Sequence, residues 1–332
     1  MYTILKDIMC TPSISGRESA VAGKIRSYIE PYVDECRIDA LGNLIALKKG
    51  SAENKKRVML CAHMDEIGLL VTFIEESGFI RVAPVGGINF LAYSFNEVVS
   101  ENGVPGVLVP EGRVAGNELS ADKVYIDIGA KNKKEAERKV KIGDFFVVRP
   151  YAKKMCGTRL MGRPFDDRVA CAILIDLAKK IEAPKDDIYY VFSVQEEVGC
   201  RGSKTAAFAV EPDYALAFDV TGTGDTIGAR PMACRLGDGA AIKIKDSSVI
   251  CDVETVAKLT ELAKDNKIKH QHEILTFGGT DTSSMQIAKA GCRAAALSIP
   301  SRYIHSGVEM IDLADAEACV ELAKKFIESI GE

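Results

Sequence analysis

With 332 residues, 47% of them hydrophobic and 27% charged, the chain has ordinary globular composition and ample material for a large core, with roughly two domains as a length prior. A formal net charge of −4 gives no reason to expect a nucleic acid or an anionic membrane as partner. The first seven residues mix an acid and a base and lack the basic start and apolar core of a signal peptide, and no window reaches the length of a membrane span, so a cytoplasmic protein is expected.

The opening stretch follows a helical pattern. Ser15 followed by Glu18 is a capping-box signature, and Val21, Ile25, Tyr28, Ile29 and Tyr32 then recur at helical spacing until about Pro31. A hairpin is expected around Leu41-Gly42-Asn43, and then a buried strand over 57–62 that delivers His63. From about Ile67 to about Arg159 the texture changes to short strands, at 69–74, 79–85, 98–100, 107–109, 124–128 and 145–148. Turn signals at Ser77-Gly78, Gly86-Gly87, Pro105-Gly106 and Gly143-Asp144 separate them and fit a small all-β module. Its one helical stretch is predicted over 131–141, where mixed charge reads as a solvated face.

After Arg163 helices and strands alternate again. An apolar helix is predicted over 168–181, buried strands over 188–194 and 214–218, and amphipathic helices over 253–262 and 314–327. The fold class expected is α/β, with a mixed, mainly parallel sheet sandwiched by helices and an inserted small β-barrel domain. The predicted division is 1–66 with 160–332 as one α/β domain, and 67–159 as the insertion. Ten cysteines are scattered with no C-x-x-C pair, and several lie in apolar periodic segments. They read as reduced, mostly buried thiols rather than a zinc knuckle.

The chemistry concentrates where apolar runs end. The run 188–194 stops abruptly at Glu196-Glu197, and two adjacent carboxylates at the mouth of a buried strand are costly unless something positive neutralises them. Extended-chain alternation sends such neighbours to opposite sides, so one can bind a metal while the other stays free as a proton shuttle. His63 follows a buried strand, with Asp65 placed to fix its tautomer. Asp166, beside Asp167, has two oxygens with which to bridge two ions, against the competing reading of an acidic helix N-cap. Asp219 and His305 likewise follow apolar stretches. His270 and His272, spaced H-x-H, read as an exposed strand. No G-x-S-x-G elbow, phosphate-cradling loop or dinucleotide fingerprint is present. A metal-dependent hydrolase is the reading.

The ordered set Ala62-His63-Met64-Asp65-Glu66-Ile67-Gly68, Phe165-Asp166-Asp167-Arg168, Gln195-Glu196-Glu197-Val198-Gly199, Phe218-Asp219-Val220-Thr221, Gly278-Gly279-Thr280-Asp281 and Arg302-Tyr303-Ile304-His305-Ser306 resembles the tetrahedral, dodecameric metallo-aminopeptidases of metallopeptidase family forty-two. These are the glutamyl, leucyl and lysyl aminopeptidases, whose members are sometimes labelled endoglucanases. The resemblance covers essentially the whole chain. It implies a zinc-exopeptidase-like fold and two divalent ions bridged by Asp166. His63 and Asp219 would complete one site, and Glu197 and His305 the other. Glu196 would be the general base and acid, with Asp65 orienting His63, and the Asp166–Asp167 peptide bond would be cis. Two ions carry four positive charges against the carboxylates of Asp166, Asp219 and Glu197. A bridging hydroxide, the expected nucleophile, brings the site close to neutral. Gly307 departs from the relatives, which often carry proline there, and is expected to loosen the loop.

The function expected is therefore a binuclear aminopeptidase acting on short peptides, assembled through the inserted module into a homo-oligomer, a dodecamer by the resemblance. Zinc, cobalt and manganese all suit mixed nitrogen and oxygen ligands. The alternatives are a deacylase or carboxypeptidase on the same scaffold, and a non-catalytic metal-binding scaffold, against which the uncoordinated Glu196 argues.

Overall fold

A computed structural model describes residues 1–112 and 118–330. The near-continuous apolar runs form the centre of an 11-stranded mixed sheet. Asp187–Ser193 lies parallel to Arg57–His63 along its whole length, with Asp187 opposite Arg57 and Ser193 opposite His63. Tyr214–Thr221 runs parallel to both Arg57–His63 and Arg293–Arg302. Four parallel strands therefore finish along one edge, and a candidate ligand stands near or just past the end of each.

Period-two alternation explains why these runs are apolar throughout. Val58, Leu60 and Ala62 point into the larger core, where they meet Val169, Ile173 and Leu177 of the helix Arg168–Lys180. Met59 and Cys61 point to the opposite face, against Ala206, Ala207 and Val210 of the helix Arg201–Val210. Leu216 and Phe218 divide from Ala215 and Ala217 in the same way. Both faces are thus covered, and ligands gather only at the strand ends.

Six strands, Gly68–Ile74, Ile80–Val85, Val124–Asp127, Pro105–Pro110, Glu97–Ser100 and Phe145–Val148, pair antiparallel in that order into a closed barrel. Closure removes the free edges a small sheet would otherwise expose. Its separate core includes Leu69, Val71, Ile80, Val98, Leu108, Ile126 and Phe146. The hairpin Tyr151–Lys154 with Arg159–Arg163, together with Glu309–Asp312, then extends the large sheet.

Two local expectations are corrected. The helix predicted over 131–141 is a single turn, Lys133–Ala136, capped by Asn132. Only Ala136 and Val140 in that mainly basic segment are buried, too few to hold a longer helix against the barrel. The capping box is not used as one either: the helix Ser19–Ile29 starts after Glu18 with no side-chain cap. Tertiary partners take both side chains instead, as the active-site geometry explains. All ten cysteines are free. Among the described residues no helix is long and apolar enough to cross a membrane.

Candidate active site

The five predicted ligands and Glu196 converge at the strand-end edge. Asp166 is central. Its Oδ1 lies 3.1 Å from His63 Nε2, and its Oδ2 lies 3.2 Å from His305 Nε2. Asp219 Oδ1 is 3.8 Å from His63 Nε2, and Glu197 Oε1 is 3.3 Å from His305 Nε2. Glu196 Oε2 sits 4.0 Å from His63 Nε2, farther than Asp166. The two glutamates thus diverge, one towards each histidine. All six side chains line one cavity of about 1070 Å³.

The histidine tautomer follows from its other nitrogen. His63 Nδ1 is 3.0 Å from the backbone carbonyl of Asp65, closer than the Asp65 carboxylate at 3.5 Å. A proton on Nδ1 leaves the Nε2 lone pair facing Asp166 and Asp219. The Asp65 carboxylate has a second task that sequence spacing does not reveal. It accepts the backbone N–H groups of Glu196 (3.0 Å) and Glu197 (3.2 Å) and the Ser15 hydroxyl (2.6 Å). Glu18 supports the same turn by accepting Gln195 N (3.0 Å) and Gly16 N (2.8 Å). The Ser15 and Glu18 pair therefore forms a strap beneath the two catalytic-edge turns. Gln195 adopts the left-handed region at φ 57°, which lets the chain bend as it leaves its strand.

Sequence reasoning assigned no role to Asp167, Asp281 or Glu309. Asp167 stands at the N-cap position of its helix without making a capping bond; its carboxylate accepts His63 N at 3.2 Å. The Asp166–Asp167 peptide bond is cis, as the resemblance implied. Asp281 accepts the hydroxyls of Ser193 and Ser203, both at 2.5 Å, and so ties a strand end to the following helix. Glu309 accepts Arg163 Nη1 (2.8 Å), Phe165 N (2.6 Å) and Asp166 N (3.1 Å), while the same Arg163 nitrogen donates to Ser306 O at 2.8 Å. One buried ion pair thereby holds the Asp166 and His305 segments together. The available clue was a carboxylate opening the short strand Glu309–Asp312, four residues after a histidine ligand.

Among the glycines with close neighbours, Gly202 and Gly307 bear on the site. The site helix packs so tightly on its strand that a Cβ at Gly202 would overlap Asn43 Oδ1 and Val194 O. Gly202→Ala is expected to cost about 1–3 kcal/mol through overpacking, read as a lower urea midpoint with an unchanged slope. At Gly307 the Asn96 side chain fills the space where a Cβ would stand, and its amide donates to Ala92 O at 2.9 Å, so a residue larger than glycine would clash there.

The electrostatics call for positive charge. Burial and repulsion from neighbouring acids push Glu196, Glu197 and Asp219 above the usual carboxylate range, with Asp219 among the acids acting on Glu196. Burial works against a charged His305, but Asp166 and Glu197 hold it up at about 11. Glu197 Oε1 is buried and receives no hydrogen bond among the described residues. Such a carboxylate oxygen, 3.3 Å from His305 Nε2, is placed as a ligand oxygen would be. Donor atoms of His63, Asp166 and Glu197 form one group within 4.8 Å of one another, and those of His63, Asp167 and Asp219 form another.

Known proteins match this chain over most of its length. The family model described as M42 glutamyl aminopeptidase matches residues 42–322. A lysyl aminopeptidase of Pyrococcus furiosus is 34% identical over 342 aligned positions, covering 99% of this chain and 97% of its own. An aminopeptidase from the archaeon Desulfurococcus kamchatkensis superposes with a TM-score of 0.94 at 35% identity, covering 98% of this chain and 94% of that one. The TET1 peptidase of Pyrococcus horikoshii, solved as able to assemble into a tetrahedron or a large octahedral shell, has a TM-score of 0.85 at 34% identity and 99% coverage of both chains. The chain belongs to the M42 glutamyl aminopeptidase family and is a peptide-hydrolysing enzyme.

Proposed function

We propose that the chain is a binuclear metallo-aminopeptidase that removes the N-terminal residue from short peptides. The observation that carries this reading is Asp166, whose two oxygens face two different histidines at 3.1 and 3.2 Å. A bridging carboxylate needs that disposition. His63, Asp166 and Asp219 would hold one divalent ion, and Asp166, Glu197 and His305 the other. Donor chemistry supports the fit: two imidazoles and three carboxylates suit zinc, cobalt or manganese. When bound, such ions polarise a scissile carbonyl and make water acidic enough to attack at neutral pH.

The side chains of this protein do the remaining work. Glu196, standing off the ligand set, takes a proton from the attacking water and returns it to the leaving amine. Asp65 keeps Glu196 and Glu197 in register by holding their backbone N–H groups, while its carbonyl orients His63. Glu309 and Arg163 fix the Asp166 segment against the His305 segment. The substrate's free amino terminus is the feature that limits cleavage to one residue.

The barrel, as an inserted domain over 67–159 between 1–66 and 160–332, is the assembly element of a homo-oligomer in this reading. Leu91 and Phe95 on its surface are 59% and 74% exposed, more apolar area than an isolated module needs to show. The tetrahedral and octahedral shells formed by the TET1 relative suggest a closed assembly such as a dodecamer.

Metal removal and reloading test the reading. Dialysis against a chelator is expected to abolish release from aminoacyl-p-nitroanilides, and two equivalents of zinc, cobalt or manganese per chain to restore it, with metal content measured in parallel. Full recovery at one equivalent would overturn the binuclear assignment. Faster turnover of N-acylated amino acids than of free aminoacyl substrates would make the enzyme a deacylase.

A further inference from the structure

The cavity that holds the proposed metal site also has walls built mainly of apolar side chains and small polar ones. Val220 and Ile304, each adjacent to a proposed metal ligand, continue into Leu275, Phe277, Ile287 and Tyr303. Phe277, Ile287 and Tyr303 are 53%, 69% and 49% exposed, so this apolar surface stands open to an incoming side chain. Two cations line the cavity, Lys204 and Arg302. Arg302 is already engaged: its Nε and Nη2 donate to the two oxygens of Asp225 at 3.0 and 2.6 Å, in the two-pronged geometry that satisfies a guanidinium best. Burial opposes the charge on Asp225, but the bonds from Arg302 and Thr223 outweigh it and hold the group at about 2, so the pair stays closed. Lys204 is exposed, where an ion pair is weak. Beyond the proposed metal ligands and Glu196, no acid lines the cavity among the described residues.

We infer that the enzyme selects peptides whose N-terminal side chain is neutral and apolar, of the size of leucine, methionine or phenylalanine, and that Asp225 sets this selectivity by neutralising Arg302. An acidic side chain would find no free guanidinium, and a basic one no free carboxylate. The inference rests on the aminopeptidase reading and sharpens it.

The test is a panel of aminoacyl-p-nitroanilides on the metal-loaded, full-length enzyme. The leucyl, methionyl and phenylalanyl substrates are expected to exceed the glutamyl and lysyl ones in kcat/KM by about tenfold or more. Asp225→Asn is expected to raise the glutamyl-to-leucyl ratio by about tenfold, because the freed guanidinium can pair a substrate carboxylate. Phe277→Ala, a change at an exposed residue that spares folding, is expected to raise KM for the leucyl substrate several-fold and leave the alanyl substrate little changed. Highest kcat/KM for the glutamyl or lysyl substrate in the unaltered enzyme would overturn the inference while leaving the aminopeptidase reading intact. A ratio unmoved by Asp225→Asn, in protein with an unaltered melting transition, would overturn the role of Asp225. Release from none of the substrates would sink both readings.

Discussion

Glu196→Gln is expected to lower kcat by about 10²–10⁴-fold, the usual worth of a positioned proton carrier, while metal content and melting temperature stay unchanged. The amide has the shape of the carboxylate and still offers an oxygen to the Cys200 thiol, which donates to Glu196 Oε1 at 3.2 Å. It has no site for a proton at neutral pH. Glu196 stands 4.0 Å from His63 Nε2, whereas Asp166 stands at 3.1 Å, so its loss removes no ligand from the sets proposed. Glu197→Gln provides the contrast. That residue lies 3.3 Å from His305 Nε2, and its substitution is expected to reduce bound metal as well as turnover. Kinetics alongside metal analysis separates the two glutamates. Equal metal loss in both variants would place Glu196 among the ligands, and full activity of Glu196→Gln would remove it from the mechanism.

The second large effect concerns stability. Glu309→Ala is expected to cost about 3–5 kcal/mol, the range observed when one partner of a buried ion pair is deleted. Arg163 and Glu309 are 1% and 0% exposed, so the pair is shut off from bulk water in the folded protein. The guanidinium would be left beside Tyr93, and the N–H groups of Phe165 and Asp166 would lose their acceptor. Glu309→Gln keeps one acceptor oxygen and is expected to lose less. Denaturant unfolding of metal-free protein measures both without a contribution from ion binding. A cost below about 1 kcal/mol for the alanine variant would show that Arg163 finds other partners. Because the same pair joins the Asp166 and His305 segments, surviving Glu309→Ala protein is also expected to bind metal more weakly.

What could be read from the order of residues was whatever depends on local period or on the end of a run. The apolar stretches at 57–62, 188–194 and 214–218 announced buried parallel strands because both faces of such strands must be covered. Polar residues that break off those runs are confined to the strand ends, so His63, Glu196, Glu197 and Asp219 were identifiable as neighbours before any coordinates. The six barrel strands were visible through their turn residues, because glycine at positive φ marks where such a chain reverses, as at Gly78 and Gly143.

Other features depend on partners distant in the chain. Ser15 and Glu18 satisfy the local rule for a helix cap, yet their side chains bond to Asp65 and Gln195, 50 and 177 residues away. A polar side chain bonded to a buried partner is held more strongly than one facing water, so the tertiary partner prevails over the local one. Asp167 and Glu309 were silent for the same reason: each acts through buried hydrogen bonds that leave no periodic trace. The pairing of Arg302 with Asp225, which turns a cationic pocket wall into a neutral one, is also beyond the reach of spacing. By itself the sequence determined which residue types end each strand, and hence the kind of chemistry on offer. Only the folded chain decided which oxygen faces which nitrogen and which charge remains free, because both depend on distances between segments that no local pattern encodes.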